Sequence, residues 1–277
     1  MDSIRIQAYA KLNLTLGVLY KRADGYHALD SLMQRISLCD TVVLEKSSEV
    51  TVTASGMLLP YQNTLRKAAE RYLALTGHGA EIRVIKRIPA EAGMGGGSAD
   101  AAAVLEGLHR LYGDLDERHL FDLALGVGAD VPFCLYAQRG GSIARAEGVG
   151  ELLTPLSGMP LHFAVAKPSQ GVSTKALFSA LKLPRKNPDT VAAMQAVARQ
   201  DSAALAGCLY NALEEPAVAL VPEIGQLRQR LLDAGALGAT MTGSGSTVFG
   251  LFETAVAAQA AADSLHDAAF SCACDGI

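Results

Sequence analysis

A chain of 277 residues, half of them hydrophobic, has room for one large domain or two of ordinary size around a real core. Its formal net charge of −4, with acidic and basic residues interspersed, gives no reason to expect a nucleic-acid or anionic-membrane surface. No apolar run approaches the roughly 18 residues of a membrane helix. Met1-Asp2-Ser3-Ile4-Arg5 does not start a basic segment with an apolar core behind it, so a cytoplasmic location is expected. The five cysteines, Cys39, Cys134, Cys208, Cys272 and Cys274, are odd in number and scattered, and read as reduced thiols. Cys272 and Cys274 leave a second reading open, a reactive pair on a loose C-terminus.

From Ile4 to Leu16 apolar and polar residues alternate, which predicts a half-buried strand. Tyr9, Lys11 and Asn13 share its polar face, and periodicity alone reads that face as solvated. In Arg22–His27, Asp24-Gly25 signals a hairpin turn. Tyr26 and His27 just past it are either ordinary hairpin residues or a ring face and an imidazole edge suited to a nucleobase. Thr41–Glu45 and Val50–Ala54 read as strands and Asn63–Leu75 as a helix. Ala80–Ile88, rich in β-branched residues, reads as another strand.

Next come Gly93, Gly95, Gly96 and Gly97, four glycines in five positions. Ser98 is the expected cap of the helix that follows, with Asp100 in its first turn and Ala101–Leu111 as its body. A strand, a glycine loop and a helix N-terminus together bind phosphate, because loop N–H groups and the helix dipole both favour an anion. Neither the P-loop nor the dinucleotide fingerprint fits: Gly97 is followed by Ser98-Ala99, and Ser98 stands where the fingerprint needs its third glycine.

Asp116–Leu125 reads as a second helix closed by Gly126–Pro132, with Asp130 held between a glycine-rich break and a proline. Ser142–Glu151 brings the chain back. Thr154–Pro160 is the candidate domain joint. Beyond it lie a strand at Leu161–Ala166, a short helix at Ser173–Leu181 and alanine-rich helices from Val191 to Asp233. Strands at Leu237–Met241 and Thr247–Phe252, joined by Thr242–Ser246, precede a last helix at Ala255–Ala268. This order, without regular βαβ alternation, favours α+β.

Pro89-x-x-Ala92-Gly93-x-Gly95-Gly96-Gly97-Ser98-x-Asp100-Ala101-Ala102 resembles the ATP-binding loop of the GHMP kinases. Ala10–Leu14, Arg22–His27, Gly128–Pro132, Ala146–Glu151 and Met241–Ser246 resemble further motifs of that family. The Tyr26-His27 pair resembles its branch whose acceptor is diphosphocytidyl-methylerythritol. The resemblance implies a two-domain GHMP kinase fold, here 1–155 for ATP binding and 156–277, with the active site in the interdomain cleft. It implies ATP-dependent phosphorylation of the acceptor's 2-hydroxyl, in non-mevalonate isoprenoid biosynthesis.

Carried over by position, Lys11 and Asp130 become the catalytic pair. Asn13, Tyr26, His27 and, on a looser match, Phe178 become acceptor contacts. Pro89-Ala90-Glu91-Ala92-Gly93-Met94-Gly95-Gly96-Gly97-Ser98-Ala99 becomes the ATP cradle, with Asn63 bordering the adenine. Mg²⁺ is expected with ATP; its protein ligands are unassigned, Ser98 and Asp100 being candidates. The expected partners are the two small substrates, with no nucleic acid or membrane, and the protein is expected as a monomer or weak homodimer.

Three departures stand out. Ala99 replaces a second serine, so that a backbone N–H must serve there; Met94 replaces a leucine; and Asn211-Ala212-Leu213-Glu214 lacks the aspartate of an Asn-Asp-x-Glu element. Two other readings stay open: a GHMP kinase with a different acceptor, and a nucleotide-binding protein of this fold without catalysis.

Overall fold

The computed structural model describes residues 2–55, 59–181, 183 and 186–277. They form two compact units built from interleaved segments. The first comprises Met1–Ala10, Leu38–Ile88 and Gly95–Gly141; the second comprises Lys11–Ser37, Pro89–Met94 and Ser142–Ile277. Two long strands, β1 (Ser3–Lys21) and β2 (His27–Ser47), pair with each other and contribute residues to both units. In the first part of β1 buried and exposed positions alternate as expected. From Ala10 to Val18 every residue is buried. The face carrying Lys11, Asn13 and Thr15 is therefore not a solvated one. Polar alternation in a sequence separates two faces but does not distinguish water from a second layer of protein.

In the first unit the chain continues through β3 (Thr51–Ser55), α1 (Thr64–Thr76), β4 (Gly79–Ile85), α2 (Gly96–Tyr112), α3 (Glu117–Val127) and α4 (Val131–Gln138). Residues Thr41–Ser47 of β2 pair antiparallel with β4, and β3 adds to β4 in parallel. Asn63 caps α1, its Oδ1 accepting from the Arg66 N–H at 2.9 Å. α2 is the central helix, buried without interruption from Ala99 to Leu108. Gly107 lets it lie on the sheet, since a Cβ there would stand 2.6 Å from Leu44 Cδ1.

β4 stops at Ile85, short of the expected Ile88, because the N–H groups of Arg87 and Ile88 turn to the Asp40 carboxylate, at 2.5 and 2.8 Å. α4 was not legible in the sequence. Six of its eight residues are buried, so it shows no amphipathic stripe, and Pro132 sits in its first turn, where proline is tolerated.

The second unit continues with β5 (Ile143–Gly148), β6 (Leu152–Leu156), β7 (Leu161–Lys167), α5 (Thr174–Ala180), α6 (Thr190–Ala198) and α7 (Ser202–Cys208). After these come β8 (Tyr210–Asn211), α8 (Glu214–Leu220), α9 (Glu223–Asp233), β9 (Gly238–Met241), β10 (Val248–Phe252), α10 (Ala255–Ser264) and β11 (Phe270–Gly276). Residues Leu29–Gln34 of β2 pair with β5, and β5 with β6. The first residues of the proposed joint thus form a strand, with Pro155 in an edge position that proline can occupy. β7 lies between β10 and β11, and β9 flanks β10, all antiparallel. Ala164, Ala166, Val248 and Phe252 on one face of this sheet form a core with Leu227, Leu231, Ala258 and Ala262 of the helices.

β11 was missed because Ser271-Cys-Ala-Cys-Asp275 is poor in β-branched residues; its partners in β7 make it a strand. Cys272 and Cys274 are therefore sheet residues, with Cys274 buried, rather than a pair on a loose tail. All five cysteines are free thiols. Pairing in both units is mostly antiparallel, with helices between strands, as the α+β expectation requires. Among the described residues no helix is long and apolar enough to cross a membrane.

Candidate active site

In the first unit the glycine loop ends at Gly95, which takes a left-handed conformation (φ +70°) and occupies the N-cap position of α2. Ser98 is the third residue of that helix rather than its cap, and no side chain caps it. Gly95 supplies the required backbone shape without a hydroxyl. The N–H groups of Gly96, Gly97 and Ser98 have no carbonyl one turn back, and they sit at the positive end of the helix dipole. Thr64 Oγ donates to the Gly97 C=O at 2.6 Å. This bond ties the loop to the start of α1 and brings Asn63 beside it. Ala99 is fully buried, and its N–H is donated to the Gly95 C=O at 2.8 Å. That position offers a phosphate neither a hydroxyl nor, contrary to expectation, its amide.

Behind the loop lies an ion cluster that the sequence reading did not single out. The Lys86 ammonium donates to both Asp40 and Asp100, at 2.6 Å to Asp100 Oδ2. Both carboxylates are essentially inaccessible. Asp40 holds the chain segment entering the loop and Asp100 the helix leaving it, so Lys86 clamps one to the other. Asp100 Oδ1 is buried without a hydrogen-bond partner. Burial pushes the Asp100 carboxyl up to about 7, with Lys86 pulling it down and Asp40 adding to the rise. Burial alone would lower the Lys86 ammonium, but the charges of Asp100 and Asp40 outweigh it and raise it. A carboxylate so placed does not fit a magnesium ligand. No group of three or more His, Cys, Asp or Glu among the described residues is disposed to hold a metal.

Asp130 occupies the N-cap position of α4 with helical backbone angles (φ −83°, ψ −11°) and does not cap the helix with its side chain. Its C=O accepts from the Cys134 N–H, and the Val131 N–H donates to the Gly128 C=O, both at 3.1 Å. With Pro132 following, the backbone is held as the sequence predicts, and the carboxylate is not spent on the helix end.

In the second unit Lys11 is 2% exposed. Its ammonium donates to Asn13 Oδ1 at 2.5 Å and to the Gly93 C=O at 3.1 Å. Its backbone N–H donates to the Met94 C=O at 3.0 Å. Asn13 Nδ2 donates to Ser31 Oγ at 2.8 Å, and Ser31 Oγ to the Thr15 C=O at 2.6 Å. The buried cation is thus fixed between two oxygens that are themselves held. Gly93 (φ +71°) lies against the loop at Thr242–Ser246: a Cβ on Gly93 would stand 2.2 Å from the Thr242 carbonyl oxygen. A Cβ on Gly243 would stand 2.5 Å from the Gly93 carbonyl oxygen. Each of these two glycine loops excludes a side chain from the other.

The Arg22–His27 hairpin is built by Asp24, which accepts from the Tyr26 N–H at 3.1 Å and from Arg22 Nε at 3.0 Å. Gly25 supplies a φ of +88°. The turn leaves Tyr26 64% exposed. The His27 ring stacks on Phe178 with centroids 4.9 Å apart and planes at 28°, so the looser Phe178 match does meet the hairpin. Partial burial, and then the charge of Lys21, lower the His27 pKa below its ordinary value. At neutral pH the imidazole is therefore uncharged, with one N–H donor and one acceptor nitrogen.

Family models for the GHMP kinases N terminal domain and the GHMP kinases C terminal match residues 63–138 and 193–271. The 4-diphosphocytidyl-2-C-methyl-D-erythritol kinase of Acetivibrio thermocellus is 40% identical over 98% of each chain. The chain belongs to the GHMP kinase family. The enzyme of the same name from Geobacter metallireducens is 41% identical over 96% of this chain and 95% of its own. A solved 4-(cytidine 5'-diphospho)-2C-methyl-D-erythritol kinase superposes with a TM-score of 0.82 at 38% identity, covering 98% of both chains. The homoserine kinase of Cytophaga hutchinsonii, at 22% identity and a TM-score of 0.77 over 100% of this chain and 95% of its own, shares the GHMP kinase fold. The N-terminal match contains Asn63, the glycine loop and Asp130; the C-terminal match contains Asn211–Glu214 and the Thr242–Ser246 loop.

Proposed function

We propose that the protein transfers the γ-phosphoryl group of ATP to the 2-hydroxyl of 4-diphosphocytidyl-2-C-methyl-D-erythritol, giving the 2-phosphate, in the non-mevalonate route to isoprenoid precursors. The observation that carries the reading is the near-full-length likeness, at 38% identity, to a solved kinase named for that acceptor. The aromatic set of Tyr26, His27 and Phe178 supports it, because a cytosine needs a ring face to stack on and an edge to bond. ADP release should be fast with the cytidyl acceptor and weak with homoserine or mevalonate. A better rate with either of the latter overturns the acceptor assignment and leaves a kinase of this family.

Phosphoryl transfer leaves a protein little covalent chemistry, so catalysis is mostly positioning and charge neutralisation. Gly95–Ser98 cradle the nucleotide phosphates on the α2 N-terminus, and Asn63 borders the adenine. ATP enters as its magnesium complex, the ion arriving as part of the substrate. Asp130 accepts or orients the proton of the acceptor hydroxyl, and Lys11, a point charge, neutralises charge on the oxygens in transfer. Asn13, which accepts from the Lys11 ammonium, contributes to acceptor binding.

Two expected results arise from these placements. Gly97 lies at the mouth of the α2 N-terminus, where an added Cβ would meet only Thr64 Oγ, at 2.9 Å. Gly97→Val should weaken ATP binding by about tenfold or more, by placing a branched side chain among the N–H groups. Unchanged nucleotide affinity in the folded variant removes the loop from ATP binding. For the acceptor, base–aromatic stacking is worth about 1–3 kcal/mol, or roughly one to two decades of affinity. Tyr26→Ala should raise KM for the cytidyl acceptor by that factor and leave KM for ATP in place. A loss of ATP affinity instead would show that Tyr26 does not serve the acceptor.

A further inference from the structure

We infer that Thr242 and Asn211 are positioning residues that set the place of the Lys11 ammonium, an inference resting on the proposed catalytic role of Lys11. Thr242 is completely buried and Asn211 5% exposed, and the polar side-chain atoms of both are engaged by protein partners. Thr242 Oγ accepts the Asn13 N–H at 3.0 Å. Its single proton then has two acceptors within reach, Asn13 Oδ1 and the Gly93 C=O, each at 3.4 Å. The Lys11 ammonium donates to each of these oxygens. One hydroxyl therefore spans two of the lysine's acceptors.

The loop carrying Thr242 is held from behind by the Asn211–Glu214 element. Asn211 Nδ2 donates to the Met241 C=O at 2.7 Å and to the Gly243 C=O at 2.9 Å, using both amide protons. Its Oδ1 accepts from the Leu213 N–H at 2.8 Å. Glu214 Oε2 accepts from the Met241 N–H and from Thr240 Oγ, both at 2.7 Å. Thr242 is thus flanked by two carbonyls pinned by one side chain. Ala212, which departs from the family's aspartate, is buried, and its N–H donates to the Leu16 C=O at 2.9 Å. The element is anchored there through its backbone N–H, which any residue but proline supplies. The pressed contact of Gly93 with Gly243 closes the chain of fixed parts. A lysine whose acceptors are fixed keeps its charge where the transferring oxygens need it, and a misplacement of about 1 Å is worth up to about 10²-fold in rate.

The test is steady-state kinetics on folded enzyme, with Tm measured for each variant. Thr242→Val should lower kcat about 10- to 100-fold while both KM values move less than about threefold, and Thr242→Ser should restore kcat to within about threefold. Asn211→Ala should show the same split. Lys11→Ala combined with Thr242→Val should be no slower than Lys11→Ala alone, because residues acting through one group are not additive. If Lys11→Ala turns over at the wild-type rate, the proposed role of Lys11 fails. If Lys11→Ala is slow but the folded Thr242→Val variant keeps wild-type kcat, the positioning inference fails alone. Fully additive losses overturn it as well. Should Asn211→Ala not fold, the Thr242 series decides.

Discussion

Asp130→Asn should fold, bind ATP with unchanged affinity and turn over at least about 10²-fold more slowly, the usual span for a removed general base being about 10²–10⁴. Asn keeps the size of the side chain and loses its ability to take a proton. The fold should survive because α4 does not use the Asp130 side chain as its cap, and the backbone bonds from Cys134 and Val131 persist. Saturating both substrates and following ADP release measures the change; nucleotide titration and Tm control for binding and folding. Near wild-type turnover would remove Asp130 from the mechanism and leave positioning and charge neutralisation to account for the rate.

The largest expected effect on stability is at Lys86. Its ammonium is the cation between two inaccessible carboxylates, and removing one partner of a buried ion pair typically costs about 3–5 kcal/mol. Lys86→Met should lower the unfolding free energy obtained from denaturant curves by an amount in that range, and the loss should be greatest at high pH, where the Asp100 carboxyl must ionise. In the wild type the Asp100 carboxyl is raised from 3.8 to about 7, first by burial and then by Asp40, against the pull of Lys86. A raised folded value means the protonated form is favoured in the native state. Its contribution is complete below about pH 4 and is lost as pH rises through about 7. Asp100→Asn should therefore gain stability on the wild type as pH rises across that window. A constant difference between the two proteins from pH 4 to pH 8 would show that Asp100 does not titrate there. A Lys86→Met variant as stable as the wild type would show that the cluster does not hold the loop.

Local features were legible in the sequence wherever a few consecutive residues decide them. The Asp24-Gly25 turn forms because Asp24 reaches an N–H two residues on and glycine takes a positive φ. The helix after the glycine loop, the strand pair at residues 238–252 and the held backbone of Asp130 follow from the same short-range rules. Elements that failed those rules were missed. α4 is mostly apolar and buried, with no polar face, β11 lacks β-branched residues, and only neighbours distant in the chain make the one a helix and the other a strand.

Family motifs carried the likeness to ATP-binding kinases further than any spacing rule, and the matches to known relatives bear it out. They left Lys86 and Asp40 unnoticed, gave the Thr242 loop no role and left Asn211 unexplained. By itself the sequence determined the alternation of β1, the glycine loop at a helix start and the aromatic hairpin, all written in neighbouring side chains. Tertiary structure alone decided that the Lys11 face of β1 is buried, that Gly93 and Gly243 press on each other, and that Lys86 joins Asp40 to Asp100. Burial and hydrogen-bond partners belong to pairs of residues far apart in the chain, and such pairs leave no local signal in either partner.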